Sequence, residues 1–298
     1  MEDSLKASLN IFRRLPPSEV QNTLQGVVDL VPEYADDLFQ RIDQPLEVAR
    51  DPKTEQQYLL CDYNRDGDSH RSPWSNEYYP PIENGFLPSK NLRELEQKAN
   101  ILFDAYRELY FDGGLSSVYL WDMNGQDHFA GCVLIKKDIE NGSAQIKSGS
   151  WNSIHVFEIL PSKSELGKAH YKLTTTIILE FQVENQEVGN ATQCGQLSKQ
   201  SQSVLSYANE DSHLSNIGQM IEEIENQLRS DFDILYLSRS QQIINSIRTL
   251  QEKQANQMNL IAEFQKRLAA KNNQNNNNNT NTSNENQDKK DSIDQNNS

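Results

Sequence analysis

Cysteine is scarce in this 298-residue chain, with Cys61, Cys132 and Cys194 the only three. They lie far apart and form no CxxC pair, which argues against a disulfide framework or a zinc clip. Positive charge is also short: 28 Lys and Arg face 43 Asp and Glu, for a formal charge of −15. Neutralising phosphates needs an excess of cations, so a general nucleic-acid binder is excluded and adhesion to an anionic membrane is disfavoured. No run approaches the roughly 18–20 consecutive apolar residues that would span a bilayer. The opening, Met1-Glu2-Asp3-Ser4-Leu5-Lys6, lacks a basic region followed by an apolar stretch, so no secretory signal is expected. The expectation is a soluble cytoplasmic protein with no transmembrane segment.

Catalytic constellations are missing as well. His70, His128, His155, His170 and His213 are scattered, without the close spacing of a metal-binding pair. No Ser lies in G-x-S-x-G, and Gly113-Gly114 is not followed by the Lys-Ser/Thr of a nucleotide loop. Cys61, directly after Leu59-Leu60, reads as a small buried hydrophobe sooner than a nucleophile. Neither an enzyme nor a cofactor or metal is expected.

What the chain does contain is organised in blocks. Residues 1–48 carry three short amphipathic stripes: Leu5, Leu9 and Phe12, then Val20, Leu24, Val27 and Val28, then Tyr34, Leu38 and Ile42. Pro16-Pro17, Pro32 and Pro45 separate them, and Ser18 is placed to cap the second, so an antiparallel three-helix stalk is expected. Residues 49–112 hold Pro52, Pro73, Pro80, Pro81 and Pro88, which leave room for one strand at Tyr58–Cys61. A helix follows, capped by Ser89, with Leu92, Leu95, Ala99, Leu102, Phe103 and Tyr106 at helical spacing and a stop at Gly113-Gly114.

From 113 to about 200 the period changes to two, with turn signals at Asn124-Gly125 and Asn141-Gly142, so about five antiparallel strands are expected. Residues 211–252 return to helix. One seam runs through Leu214, Ile217, Ile221, Ile224, Leu228, Phe232, Leu235, Ile243, Ile247 and Leu250. A single helix over His213 to Leu250 would be about 57 Å long and must lie across a sheet or on a partner. Residues 272–298 include 12 Asn and cannot offset their ordering entropy by burial, so a disordered tail is expected. The fold class is α+β: a helical stalk, an antiparallel sheet of about five strands with a long helix across it, and a C-terminal amphipathic helix.

Asp62-Tyr63-Asn64-Arg65-Asp66-Gly67-Asp68 opens like an EF-hand loop, with Gly67 at the sixth position. The twelfth position should be a bidentate Glu and is Pro73, while Arg65 and Arg71 dilute the charge. A calcium-binding interaction module is therefore the alternative, against a tight turn whose side chains satisfy backbone N–H groups.

Charge is not spread evenly. Residues 239–271 carry a net +4, whereas residues 1–238 carry −17. Within the basic stretch Leu260, Ile261, Phe264 and Leu268 form an apolar face flanked by Lys266 and Arg267, the pattern of a helix that docks into a groove on an acidic partner.

These blocks carry a resemblance. Leu59 to Asn76, including Cys-Asp-Tyr-Asn-Arg-Asp-Gly-Asp-Ser and Arg-Ser-Pro-Trp-Ser-Asn, is similar to the signature of the β-subunit family of heterodimeric F-actin-capping proteins. Arg13-Arg14-Leu15-Pro16-Pro17, Asp43-Gln44-Pro45-Leu46, Ser116 to Asp122 and Ala169 to Thr174 support it, and the likeness runs in order over roughly residues 5–250. It implies a calcium-independent, non-enzymatic subunit in an obligate heterodimer with a homologous α subunit, the sheet continuing across the dimer and 211–252 forming the dimer-core helix. The dimer would occupy filament barbed ends in the cytoskeleton and block both addition and loss of actin. Residues 253–271 would be the actin-binding tentacle, with Leu260, Ile261, Phe264 and Leu268 entering a cleft on actin beside Lys266 and Arg267. Arg248 matches a family arginine before the tentacle. Arg229 matches one on the long helix, implying an actin or regulator contact, with a solvated helix-face charge as the competing reading. Regulators and phosphoinositides are further ligands that the resemblance admits.

Overall fold

The computed structural model describes residues 12, 15–35, 38, 42–124, 128–140, 146–162, 164–185, 189–238, 242–243, 245–247, 249–251 and 253–267. The chain divides into two units, Met1–Tyr236 and Leu237–Ser298.

In the first unit, helix α1 spans Pro17–Leu30. Val20 and Leu24 pack with Phe12, Leu38 and Ile42 into a small core, so the three apolar stripes meet at these positions. Two details differ from expectation. Tyr34 lies in a 3₁₀ turn, Pro32–Tyr34, and is exposed. Ser18 is not the cap, because Pro17 takes the first helical position, where its missing N–H costs nothing. The Ser18 N–H and hydroxyl donate instead to Glu180, at 3.3 and 3.4 Å.

The Pro-rich segment holds more structure than one strand. Strand β1 (Glu47–Arg50) pairs antiparallel with β2 (Gln57–Leu60). The short strands β3 (Arg65–Asp66), β4 (Ser69–Arg71) and β5 (Tyr78–Tyr79) form a second small sheet. Gly67, with φ 59°, turns β3 back onto β4, a conformation that side chains with a Cβ adopt at a cost.

Helix α2 (Lys90–Phe111) ends as expected at the glycine pair. Gly114 has φ 94°, and a Cβ there would meet the Lys136 carbonyl oxygen at 2.5 Å. The chain then enters five long strands: β6 (Leu115–Asp122), β7 (Phe129–Glu140), β8 (Ile146–Pro161), β9 (Lys168–Asn185) and β10 (Gly189–Ser206). They form one antiparallel meander in the order β10-β9-β8-β7-β6. Met123 N–H donates to the His128 carbonyl at 3.0 Å and closes the first hairpin next to the Asn124 turn signal.

Helix α3 (Glu210–Phe232) lies on this sheet. Asn209 caps it, accepting the Ser212 N–H at 3.0 Å. The expected seam is buried from Leu214 through Ile217, Ile221, Ile224 and Leu228 to Phe232. With α2 it covers one sheet face, joining Leu95, Ala99 and Phe103 to Val133, Phe157, Leu173 and Ile177 in the main core. Each such side chain contributes about 1.5–3 kcal/mol by leaving water. The opposite face holds Tyr119, Cys132, Leu134, Ile154 and Ile178 under Leu46 and Leu59. Regular α-helix stops at Phe232, and Asp233–Ser238 widens into a π-helical segment. Ile243, Ile247 and Leu250 of the expected seam are exposed.

Candidate functional site

The second unit carries a helix over 253–267. Leu260, Ile261 and Phe264 are each more than half exposed, at 56, 57 and 58%. At 100° per residue they share one stripe of the helix. Large apolar groups seldom stand together on a surface unless something binds there. Arg267 borders the stripe and pairs with Glu263 at 2.8 Å, one turn back. Lys266 falls on the far side of the helix by the same geometry, so of the two expected flanking cations only Arg267 adjoins the apolar face. Leu268 and Arg248 lie outside the described residues.

Arg229, in the first unit, is held from three sides. Its Nη2 donates to Glu225 at 3.1 Å and its Nη1 to the Tyr110 carbonyl at 3.4 Å. The guanidinium lies 4.7 Å from the Phe111 ring centre and 5.6 Å from that of Trp151, in reach of cation–π attraction. About a third of the side chain, 34%, remains open to solvent. Both readings of this residue therefore have a place: a positioned guanidinium, and an open edge for a ligand.

Glu225 is the residue that sequence reasoning missed. It is 1% exposed, yet it sits beside the apolar seam. Ser153 donates to it at 2.6 Å, Tyr106 at 3.4 Å, and His155 Nε2 lies 3.3 Å away without hydrogen-bond alignment. Burial pulls its pKa up, but the contacts from His155 and Ser153 and the charge of Arg229 outweigh this and hold it below the ordinary value. The available signal was the spacing of Glu225 and Arg229, four apart on a helix.

The signature segment is a structural knot. Asn64 is buried; its Oδ1 accepts the Cys61 N–H at 2.9 Å, and its Nδ2 donates to the carbonyls of Arg71 at 3.0 Å and Leu59 at 3.4 Å. An EF-hand would need that oxygen for the cation. Arg71 donates through both terminal nitrogens to Glu96 on α2, at 2.9 and 2.6 Å, with Arg93 also paired to Glu96. Glu96 Oε2 further accepts the Leu120 N–H at 2.7 Å, so one carboxylate ties together turn, helix and sheet.

Asp51 anchors the same segment. It accepts from the Ser72 hydroxyl at 2.5 Å and from the N–H groups of Lys53 at 2.7 Å and Ser75 at 3.1 Å. Burial pulls its pKa up, yet these hydrogen bonds prevail and hold the carboxyl well below the usual range. Among the described residues no group of three His, Cys, Asp or Glu is arranged to hold a metal ion.

The remaining feature is an edge. Strand β10 ends the sheet order, pairs with β9 over Gly189–Ser206, and has no strand on its other side among the described residues. An open edge of this length is a template for pairing with another chain. No described helix is long and apolar enough to cross a membrane.

Comparison with known proteins identifies a family. A family model described as "F-actin capping protein, beta subunit" matches residues 5–244. The F-actin-capping protein subunit beta of Drosophila melanogaster is 45% identical over 251 residues, covering 84% of this chain and 89% of the relative. That of Caenorhabditis elegans is 44% identical over 252 residues (85% and 91%), and that of Dictyostelium discoideum 43% over 248 (83% and 90%). A solved structure of a homodimeric actin capping protein alpha subunit from Plasmodium berghei matches with TM-score 0.51 and 14% identity, covering 83% of this chain and 96% of that one. That likeness is one of fold. The helix at 253–267 lies beyond the span of the family model.

Proposed function

This chain belongs to the F-actin-capping protein beta-subunit family, and from that membership we propose that it forms a heterodimer with an alpha-type subunit, caps actin-filament barbed ends and blocks both addition and loss of actin. The observation that carries the reading is the family match over residues 5–244.

The open edge of β10 supports the heterodimer. An alpha subunit with the same fold would bring an equivalent edge, and the sheet would run on across the pair. In the second unit the exposed Ile243, Ile247 and Leu250 are further surface for that partner. The tentacle, 253–271, supplies the actin contact: Leu260, Ile261 and Phe264, with Leu268, enter an apolar cleft, Arg267 and Arg248 serve the acidic filament, and Lys266 stays on the outer side of the helix. Arg229 offers its open edge to actin or to a regulator. The action is calcium-independent, since the Asp-rich turn uses Asn64 on its own backbone, and membership of a capping-protein family supports a non-catalytic role. The protein works in the cytoplasm, at filament ends.

Dilution of actin filaments below their critical concentration tests this. The purified heterodimer at near-stoichiometric ratio to ends should arrest depolymerisation from barbed ends. Depolymerisation at the undisturbed rate would overturn the reading.

A further inference from the structure

Capping leaves a cavity in the first unit unused. Helices α2 and α3 run parallel: Lys98 pairs with Asp211 at 2.7 Å near their starts, and Arg229 reaches the Tyr110 carbonyl at 3.4 Å near their ends. Where both helices begin, against the ends of β6 and β7, they frame an open cavity of about 350 Å³. That volume is in the range of pockets that hold a small ligand or an anchoring side chain. The floor is apolar and aromatic, and Leu92, Leu95, Phe129 and His213 are buried in it. The His213 ring meets Phe129 edge-on, with centres 5.7 Å apart, and its centre lies 4.4 Å from that of Tyr207. Its Nδ1 is 2.7 Å from the Tyr171 hydroxyl, which holds the ring in place. Tyr207 is the partly exposed member of this cluster.

The mouth has the opposite character. Asp122, the last residue of β6, and Glu210, the first of α3, both line it and are exposed. The Ser89 N–H and hydroxyl each donate to Asp122 at 2.7 Å, one to each carboxylate oxygen. Each of those oxygens keeps a further acceptor site. His128, also at the rim, is engaged by Glu158 at 3.0 Å and by the Asn124 carbonyl at 3.2 Å. The charge at the opening is therefore that of two carboxylates, above a floor of rings and leucines. A complementary guest combines a cationic head rich in donors with an apolar stem.

We propose that this cavity receives an arginine side chain from a partner peptide. A guanidinium suits both halves of the site: it stacks on aromatic rings, donates in pairs to carboxylates, and brings a methylene stem that covers apolar floor. A lysine ammonium is a point charge with no plane to stack. Free arginine carries its own α-carboxylate, which Asp122 and Glu210 repel, so the residue arrives within a peptide. Phe86 and Leu87, 53 and 50% exposed in the loop that leads into α2, offer apolar surface to the neighbouring peptide residues. The site uses neither the tentacle nor Arg229, so it stands or falls apart from capping.

The test titrates the full-length chain, isotope-labelled at histidine and assembled with its partner subunit, with acetyl-Gly-Arg-Gly-amide. The imidazole NMR signals of His128 and His213 report on the cavity. Both should shift and saturate at millimolar peptide. The same peptide with citrulline, which keeps the shape and loses the charge, should bind about tenfold more weakly, and the lysine peptide should fall between the two. Glu210→Gln, at an exposed position, should weaken the arginine peptide several-fold and leave the citrulline peptide unchanged. Asn91→Trp, on the exposed first turn of α2 at the opening, should block both peptides. The proposal is overturned if neither histidine signal moves, if arginine and citrulline peptides bind alike, or if both variants bind the arginine peptide as the unchanged chain does.

Discussion

Arg229 sits one turn beyond Glu225 on α3, joined to it at 3.1 Å, with its guanidinium over the Phe111 ring. The carboxylate is buried and the guanidinium is partly open, so the two residues are expected to differ when removed. Glu225→Ala leaves Ser153, His155 and Arg229 facing an empty site and should destabilise the chain by about 3–5 kcal/mol. Arg229→Ala loses a partly screened pair and a ring contact, for about 1 kcal/mol. Denaturant unfolding of the assembled protein measures both. A loss of capping in Arg229→Ala with the fold intact would mark the open edge as a contact; equal destabilisation by the two variants would contradict the assignment.

The acid side of the stability profile should carry the signature of Asp51. Its folded pKa lies well below the ordinary 3.8, so its contribution is fully present above that value and is lost as pH falls from there through the folded pKa. Asp51→Asn should cost about 2–4 kcal/mol near neutral pH, and the gap to the unchanged protein should narrow below about pH 4. Unfolding curves across that range check the sign. A gap that widens on acidification would contradict it.

Arg71→Met breaks the bidentate pair with Glu96 and leaves a buried carboxylate with fewer donors. The expected cost is about 3–5 kcal/mol, together with faster amide exchange through Arg65–Tyr79. Glu96→Gln, which keeps the shape and one acceptor, should cost less. Exchange mapped by mass spectrometry distinguishes local loosening from global unfolding.

The elements of this chain differ in how plainly the sequence shows them. The strands β7, β8 and β9 announce themselves through β-branched and aromatic residues, and α2 and α3 through periodic apolar positions and their stops. Strand β10 does not: Gln193, Gln196, Gln200 and Gln202 with four serines fill much of it, and its strongly apolar residues are Leu197 in mid-strand and Val204 and Leu205 near the end. An edge strand needs little apolar surface, so the pattern that reveals a central strand is weak there. Strand β1 and the small β3-β4-β5 sheet were hidden by prolines and by their length. What holds that segment is Asn64, which bonds the backbone of its own turn, and Asp51 and Arg71, whose partners Ser72 and Glu96 lie more than 20 residues away in sequence. The apolar stripe of Leu260, Ile261 and Phe264 was readable from spacing, and the position of Lys266 away from it follows from the helical angle.

The β10 edge makes a prediction about assembly. Alternate backbone amides between Gly189 and Ser206 point away from β9 and should exchange quickly in the isolated chain. On assembly with an alpha-type subunit they should slow, while those bonded to β9 change little. Unchanged exchange along the whole strand would place the partner elsewhere.

Barbed-end capping is measured by seeded elongation. Spectrin–actin seeds, whose barbed ends are free, are extended with actin monomers in the presence of the purified heterodimer. Elongation should fall to the pointed-end rate at near-stoichiometric dimer. Truncation after Gln254 should weaken the effect while the dimer stays assembled. Barbed ends that elongate at the full rate in the presence of the intact heterodimer would contradict the account.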